Sequence, residues 1–420
     1  MQPELPGSRR ILILSPFPPR RDGHHGGARS IAHSVAELAA GHRVRVLCLA
    51  ADGEQPAEPA LAGLCEKVEA VRRPGASVGF RRVLLTGASV AAGLPFWVGN
   101  WKVEEFRRRV RETVREWRPD IVHFEFHVMA QYADAAEGCR RILVEHEPGT
   151  AAARDRRLLS PAWQRPLLDR EVKAWTRYER AILPRFDAVV CFSGRDREEL
   201  AALEPAGNFF VIPPSAGIVA EPPAPEGGIS PPTLLFSGNF RHPPNVDAAI
   251  RLARDIFPLV RARCPGTLLR IAGAHPPRRL HALAAGDIEI TGMVPDMQPL
   301  IAAATVVAIP LRSGLGVRIK TIEALVLGKA VIATALAAEG LGVRNGQEFL
   351  EAGSDAGFAD GITALLQDPA RRAELGRQAR EWARVFCQPG RLRAAYEDLY
   401  ERLTLLPALL PALLPADHTG

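Results

Sequence analysis

No Asp-x-Asp, Cys-x-x-Cys or His-Glu-x-x-His occurs in these 420 residues, and each absence removes a class of chemistry. Without Asp-x-Asp, a carboxylate-held metal bridging a diphosphate is not expected. The cysteines, Cys48, Cys65, Cys139, Cys191, Cys264 and Cys387, are scattered; they suggest neither a structural zinc site nor a disulfide framework, and a reducing, cytosolic setting is expected. Glu147 follows His146, but no histidine stands at the spacing a zincin needs. A large excess of one sign of charge is also lacking. Lys+Arg exceed Asp+Glu by 53 to 47, a formal +6, which favours anionic partners such as phosphates or lipid headgroups and is too small to argue for nucleic acid. The apolar run Ile11 to Leu14 stops at Pro16, Pro18 and Pro19, too soon for a signal-peptide core. Val83 to Trp101 carries no charge and is flanked by Arg81, Arg82 and Lys102. Gly87, Gly93, Pro95, Gly99 and Asn100 make it a poor membrane span. It reads as a buried or half-exposed helix followed by a loop, or as a surface that dips into a bilayer interface.

What is present is a rhythm. Short β-branched apolar runs alternate with stretches of helical period, the pattern of parallel sheets covered by helices on both faces. Strands are expected near Ile11–Ser15, Val44–Ala50, Asp120–Phe126, Ile142–Glu147, Ala188–Ser193 and Phe209–Pro213. Pro213 to Thr233 is dense in proline and glycine and reads as a linker. A second series follows near Leu234–Ser237, Leu268–Gly273, Ile288–Gly292, Val306–Pro310 and Ala330–Thr334. The organisation expected is a Rossmann-like unit over 1–213, a linker over 214–232, a second Rossmann-like unit over 233–385, a helix over 386–405 and a disordered tail over 406–420. In that tail, prolines in a repeated Leu-Leu-Pro-Ala pattern break any helix.

Four segments can carry chemistry. Gly23, Gly26 and Gly27 form a Gly-rich turn between the first strand and an amphipathic helix, where backbone N–H groups can meet an anion; the turn matches neither a dinucleotide fingerprint nor a Walker loop. His123, Glu125 and His127 alternate along one strand, so all three are expected on one face, near the strand end where open α/β sheets bind ligands. His123 is the one most in keeping with a structural role. Glu145, His146 and Glu147 end the next strand, as a substrate-contacting cluster or a solvated turn. Most informative is Pro310 to Thr334. A strand ends, a loop passes Gly314 and Gly316, and a helix bearing Arg318, Lys320 and Glu323 begins. Two cations beside a glycine loop and a helix N-terminus suit a diphosphate, and Glu323, one turn on, suits a ribose.

With these residues in view the chain resembles the GT-B-type, retaining glycosyltransferases of family 4 over nearly its whole length. The resemblance is carried by Gly316-Val-Arg-Ile-Lys-Thr-Ile-Glu-Ala-Leu-Val-Leu-Gly-Lys-Ala-Val-Ile-Ala-Thr, by Phe236-Ser-Gly-Asn-Phe, by Ile288-Glu-Ile-Thr-Gly-Met-Val-Pro-Asp-Met and by Ala338-Glu-Gly-Leu. It implies two Rossmann-like doubly wound parallel-sheet domains facing across a cleft. It implies a nucleotide-sugar donor at Gly26, Gly27, Gly238, Asn239, Met293, Val294, Gly314, Gly316, Arg318, Lys320 and Glu323, with Met293 and Val294 meeting the base. The acceptor, a polysaccharide or lipid-linked glycan hydroxyl, is expected at His123, Glu125, His127 and His146. Glu125, His127, Arg318 and Lys320 are the candidate catalytic groups. The family's first-domain histidine aligns with Glu125 or with His127. Two positions depart from the family pattern: Leu315 stands where an earlier glutamate is common, and Asn239, Arg241 and His242 follow Gly238 where an Arg and a Lys are common.

The implied reaction is glycosyl transfer from a nucleoside-diphosphate sugar to a hydroxyl, with retention and with no cofactor or metal, by a cytoplasmic protein with possible contact to the inner, anionic face of the membrane. Two alternatives remain open. One is a sugar-nucleotide epimerase or hydrolase using Glu125, Glu145 and His146; the other is a non-catalytic nucleotide-sugar-binding or partner protein, suggested by Leu315.

Overall fold

The computed structural model describes residues 7–21, 26–73, 87–214, 231–314 and 316–409. Gly23, Leu315, nearly all of the expected linker and the tail from 410 lie outside the described residues.

Each half of the chain builds one all-parallel sheet. The first comprises β1 (Arg10–Ser15), β2 (Arg43–Ala50), β3 (Lys67–Arg72), β4 (Ile121–Glu125), β5 (Arg140–Glu145), β6 (Ala188–Cys191) and β7 (Phe209–Val211), in the order β3-β2-β1-β4-β5-β6-β7. The second comprises β8 (Thr233–Ser237), β9 (Leu268–Ala272), β10 (Ile288–Gly292), β11 (Val306–Ile309), β12 (Val331–Ala333) and β13 (Leu350–Glu351), in the order β10-β9-β8-β11-β12-β13. Both are doubly wound: strand order reverses beside β1 in one sheet and beside β8 in the other. Ligands of such sheets lie past the strand C-termini at that switch.

The strands form where aliphatic side chains run without interruption, because helices cover both faces. Ile11, Leu12, Ile13 and Leu14 are fully buried, as are Leu234, Leu235 and Phe236, and each such side chain contributes about 1.5–3 kcal/mol of burial. Punctuation between elements is equally local. The helix Glu104–Trp117 ends at Arg118, in the left-handed region at φ 49°. Pro119 forbids its continuation, and the Asp120 N–H pairs with the Arg10 carbonyl at 2.9 Å to start β4.

Two strands lack the expected signal. β3 reads Lys-Val-Glu-Ala-Val-Arg and lies at a sheet edge, where one face is wet; β13 is two residues long. The helix Arg391–Leu409 returns to the first unit, burying Leu392, Tyr396, Leu399, Tyr400 and Leu403 in its core. It runs four residues beyond 405, into the Leu-Leu-Pro-Ala repeat. Among the described residues no helix is long and apolar enough to cross a membrane.

Candidate functional site

The C-terminal ends of β1, β4 and β5 in the first unit face the loop 310–318 and the helix Ile319–Val326 of the second, and contacts across this cleft are close. A Cβ added to Gly316, at φ 68°, would lie 2.4 Å from the His146 carbonyl oxygen. The Gly314 N–H donates to the Asp155 carboxylate at 2.8 Å, and that of Gly316 donates to Asp196. Gly26, at the start of the helix Gly26–Ala39, approaches Ile319, where a Cβ would lie 3.1 Å from its side chain. A Cβ on Gly27 would lie 2.7 Å from the Phe126 ring. In this structure the two glycines make room for side chains, as well as opening the helix N-terminus.

The first wall of the cleft consists of crossed pairs between β4 and β5. Glu125 Oε2 lies 2.7 Å from His146 Nε2, and Glu145 Oε1 lies 2.8 Å from His127 Nδ1. All four are buried. The expected single stripe of His123, Glu125 and His127 does not form, and the reason is local. Phe126 takes φ 68°, β4 stops at Glu125, and His127 opens a 3-10 turn that carries its ring beside Trp97 and Trp175. Phe126 stacks on His146 at 3.8 Å, which fixes that imidazole against Glu125. Burial pushes His127 down, but the charge and hydrogen bond of Glu145 override it and leave the imidazole above its usual value. Glu147 is pushed up to about 7, mainly by burial, with His127 and Arg318 opposing. Burial also raises Asp196. Glu145 and His146 are therefore not a solvated turn.

His123 stands apart from this group. Fully buried, it meets the Tyr400 hydroxyl at 3.0 Å and packs on Tyr396, both from the last helix, and desolvation lowers it to about 3. It is a neutral core histidine holding that helix down.

The second wall is cationic. Arg318 precedes the helix Ile319–Val326 in extended conformation and is buried; desolvation lowers its pKa while Glu147, Asp196 and Glu339 oppose. Lys320 donates to Asn245 at 2.6 Å, lies 4.6 Å above the Phe236 ring, and is lowered to about 7 by burial and by Arg318. Gly238 sits against it: a Cβ there would be 2.9 Å from the ammonium. Asn239 accepts from Asn245 through its carbonyl at 2.8 Å, completing the link from β8 to Lys320. His242, lowered by burial and by Lys320, adds no positive charge there. Glu323 is buried and raised by that burial, yet ion-paired with Arg29 across the cleft. Met293 and Val294 follow β10 near the sheet edge; Met293 is 62% exposed, as a backbone-mediated contact to a base permits. Among the described residues no three His, Cys, Asp or Glu side chains are grouped to hold a metal.

Sequence reasoning missed Arg29, Asp155 and Asp196. Each meets the second unit only after folding, at separations no local pattern encodes. Gly273, also missed, follows β9 at φ 141°, where a Cβ would lie 1.9 Å from the Gly238 carbonyl oxygen.

Comparison with known proteins agrees with this fold. Residues 231–368 match the family described as glycosyl transferases group 1, and residues 25–216 match glycosyltransferase family 4. No protein of curated function matches the sequence. Among solved structures, sucrose-phosphate synthase from Thermosynechococcus elongatus superposes with a TM-score of 0.70 at 17% identity, covering 95% of this chain and 100% of that one. Anabaena HepE, solved with UDP and glucose, gives 0.62 at 14%, covering 94% and 99%. S. aureus TarM, solved with UDP among its ligands, gives 0.66 at 10%, covering 93% and 99%.

Proposed function

The chain belongs to the family 4, group 1 glycosyltransferases, with the two facing Rossmann-like units of the GT-B fold, and we propose that it moves a sugar from a nucleoside-diphosphate donor to a hydroxyl of a glycan or lipid-linked glycan, with retention. The observation that carries this reading is the second wall. Arg318 immediately precedes the helix whose first turns carry Lys320 and Glu323; Arg318 and Glu323 are buried and Lys320 is half-buried, facing the strand ends of the other unit. A diphosphate held there meets two cations and a helix N-terminus. The ribose hydroxyls would take the place of Arg29 on Glu323.

In the reaction the bond from the anomeric carbon to the diphosphate oxygen breaks, and its electron pair leaves with the diphosphate. Arg318 and Lys320 stabilise that charge where it grows, and partial burial strengthens the interaction by lowering the effective dielectric. Positive charge supplied by side chains in this way takes the place of a metal bridge. The acceptor hydroxyl attacks the anomeric carbon and gives up its proton. His127, tied to Glu145, and Glu125, tied to His146, shape the wall on which the acceptor lies, and Glu147, near neutrality in its pKa, adds a group that can carry a proton. The structural relatives solved with UDP support a uridine donor as the first to test.

The test is turnover of UDP-, GDP- and ADP-sugars by the purified protein against a panel of hydroxyl acceptors. NMR of the product anomeric proton is read alongside, with and without EDTA. Acceptor-dependent release of nucleoside diphosphate, retained configuration and indifference to EDTA are expected. Release of free sugar independent of acceptor would favour a hydrolase.

A further inference from the structure

Four large apolar side chains stand in solvent within one short stretch: Leu158 is 70% exposed, Leu159 39%, Trp163 79% and Leu167 53%. They crown the turn of a helical hairpin formed by Gly149–Leu158 and Arg165–Ile182. The base of the hairpin is rigid. Trp175 packs so tightly that a Cβ on Gly149 would lie 2.3 Å from its ring, and the Glu179 carboxylate accepts from the Gly149 and Thr150 N–H groups at 2.6 and 3.0 Å. The tip is therefore presented by a fixed support. Folded surfaces rarely gather apolar groups this way unless something covers them.

A second strip lies alongside. The described part of the uncharged stretch 83–101 includes exposed Ala88, Val90, Ala91 and Ala92. It is held to the hairpin by Arg170, which donates to the Val90 carbonyl, and by Glu171, which accepts from the Phe96 N–H at 2.9 Å. Leu167 and Arg170, three apart, share a helix face, so the two strips adjoin. No acidic residue occurs between Leu158 and Leu168, while Arg156 and Arg165 are exposed on either side of the tip. Apolar wedge, tryptophan and cationic rim match a headgroup layer carrying negative charge.

We propose that the hairpin tip and the 87–92 strip dock this protein on an anionic lipid bilayer, with Trp163 and Leu167 entering the headgroup–acyl boundary and Arg156 and Arg165 at the lipid phosphates. Docking would bring the cleft to the membrane, because Asp155, which holds Gly314, is on the same hairpin. The proposal stands whether or not the donor reading does.

The test is flotation of the full chain with vesicles of phosphatidylcholine alone or mixed with phosphatidylglycerol, at low and high salt. Retention on the mixed vesicles is expected, falling with salt. Trp163→Ala with Leu167→Ala, and separately Arg156→Gln with Arg165→Gln, would each lower the partition coefficient by about tenfold. All four side chains are exposed, so these variants keep the native far-ultraviolet dichroism. Equal binding to both vesicle types, or retention unaffected by either pair, overturns the proposal. So does a concentration-dependent dimer, abolished by the same changes, in a protein that ignores vesicles; the surface would then belong to a second copy.

Discussion

The two units share a topology and present the same part of it to the cleft, yet their walls carry opposite charge. At the ends of β4 and β5 the first unit places Glu125, Glu145 and Glu147, two of them tied to histidines within the wall. Beyond β8 and β11 the second unit places Lys320 and Arg318 at a helix N-terminus. Parallel strands and a switch point supply a place for a ligand in both; the side chains decide which ligand. A carboxylate–imidazole wall suits a neutral hydroxyl that loses a proton, and a cationic wall suits a diphosphate that gains charge.

Changes that make the walls more alike test this division. The largest effect is expected from Lys320→Ala, which removes a cation from the proposed leaving-group site: kcat/KM for the donor falls about 10²–10³-fold, with melting temperature unchanged or raised because a desolvated charge is gone. Next is His127→Leu, which leaves Glu145 buried without its partner. Stability falls by about 3 kcal/mol in denaturant unfolding, while nucleotide affinity of the folded fraction stays near the native value. Equal losses of nucleotide affinity in both variants would break the comparison.

Gly316→Ala probes the seam between the walls. Its φ of 68° and the nearby His146 carbonyl oppose any Cβ, so donor KM rises about tenfold, corresponding to roughly 1–2 kcal/mol of strain. The smallest effect is one of pH. Lys320 and Glu147 both titrate near 7. Raising the pH from 7 takes a proton from the lysine and leaves Glu147 ionised, and both steps make the cleft less positive. Loss of the lysine proton alone therefore lowers nucleoside-diphosphate affinity by about tenfold per unit at most as pH rises toward 8.5, and calorimetry on Lys320→Ala shows a shallower slope.

Much of the fold is legible in the sequence because parallel strands buried on both faces are unbroken aliphatic runs. Ile11–Leu14 and Val306–Ile309 cannot be mistaken for surface. β3 escapes such a reading because an edge strand carries charge on its wet face. The second wall is legible for a related reason: Gly314, Gly316, Arg318, Lys320 and Glu323 are neighbours in the chain. The first wall is not, because its pairs join different strands and depend on the left-handed turn at Phe126, which sends His127 away from the face its spacing suggests. Arg29 on Glu323 is beyond any local pattern.

The central claim is that the helix beginning at Ile319 holds the nucleoside diphosphate of the donor. Isothermal calorimetry of UDP, GDP and ADP against the native protein, Lys320→Ala and Glu323→Ala addresses it directly. The account predicts that one of the three binds, that Lys320→Ala weakens the nucleoside diphosphate more than the nucleoside monophosphate, and that Glu323→Ala weakens both alike. Binding unchanged in both variants, or no binding by any of the three, would contradict it.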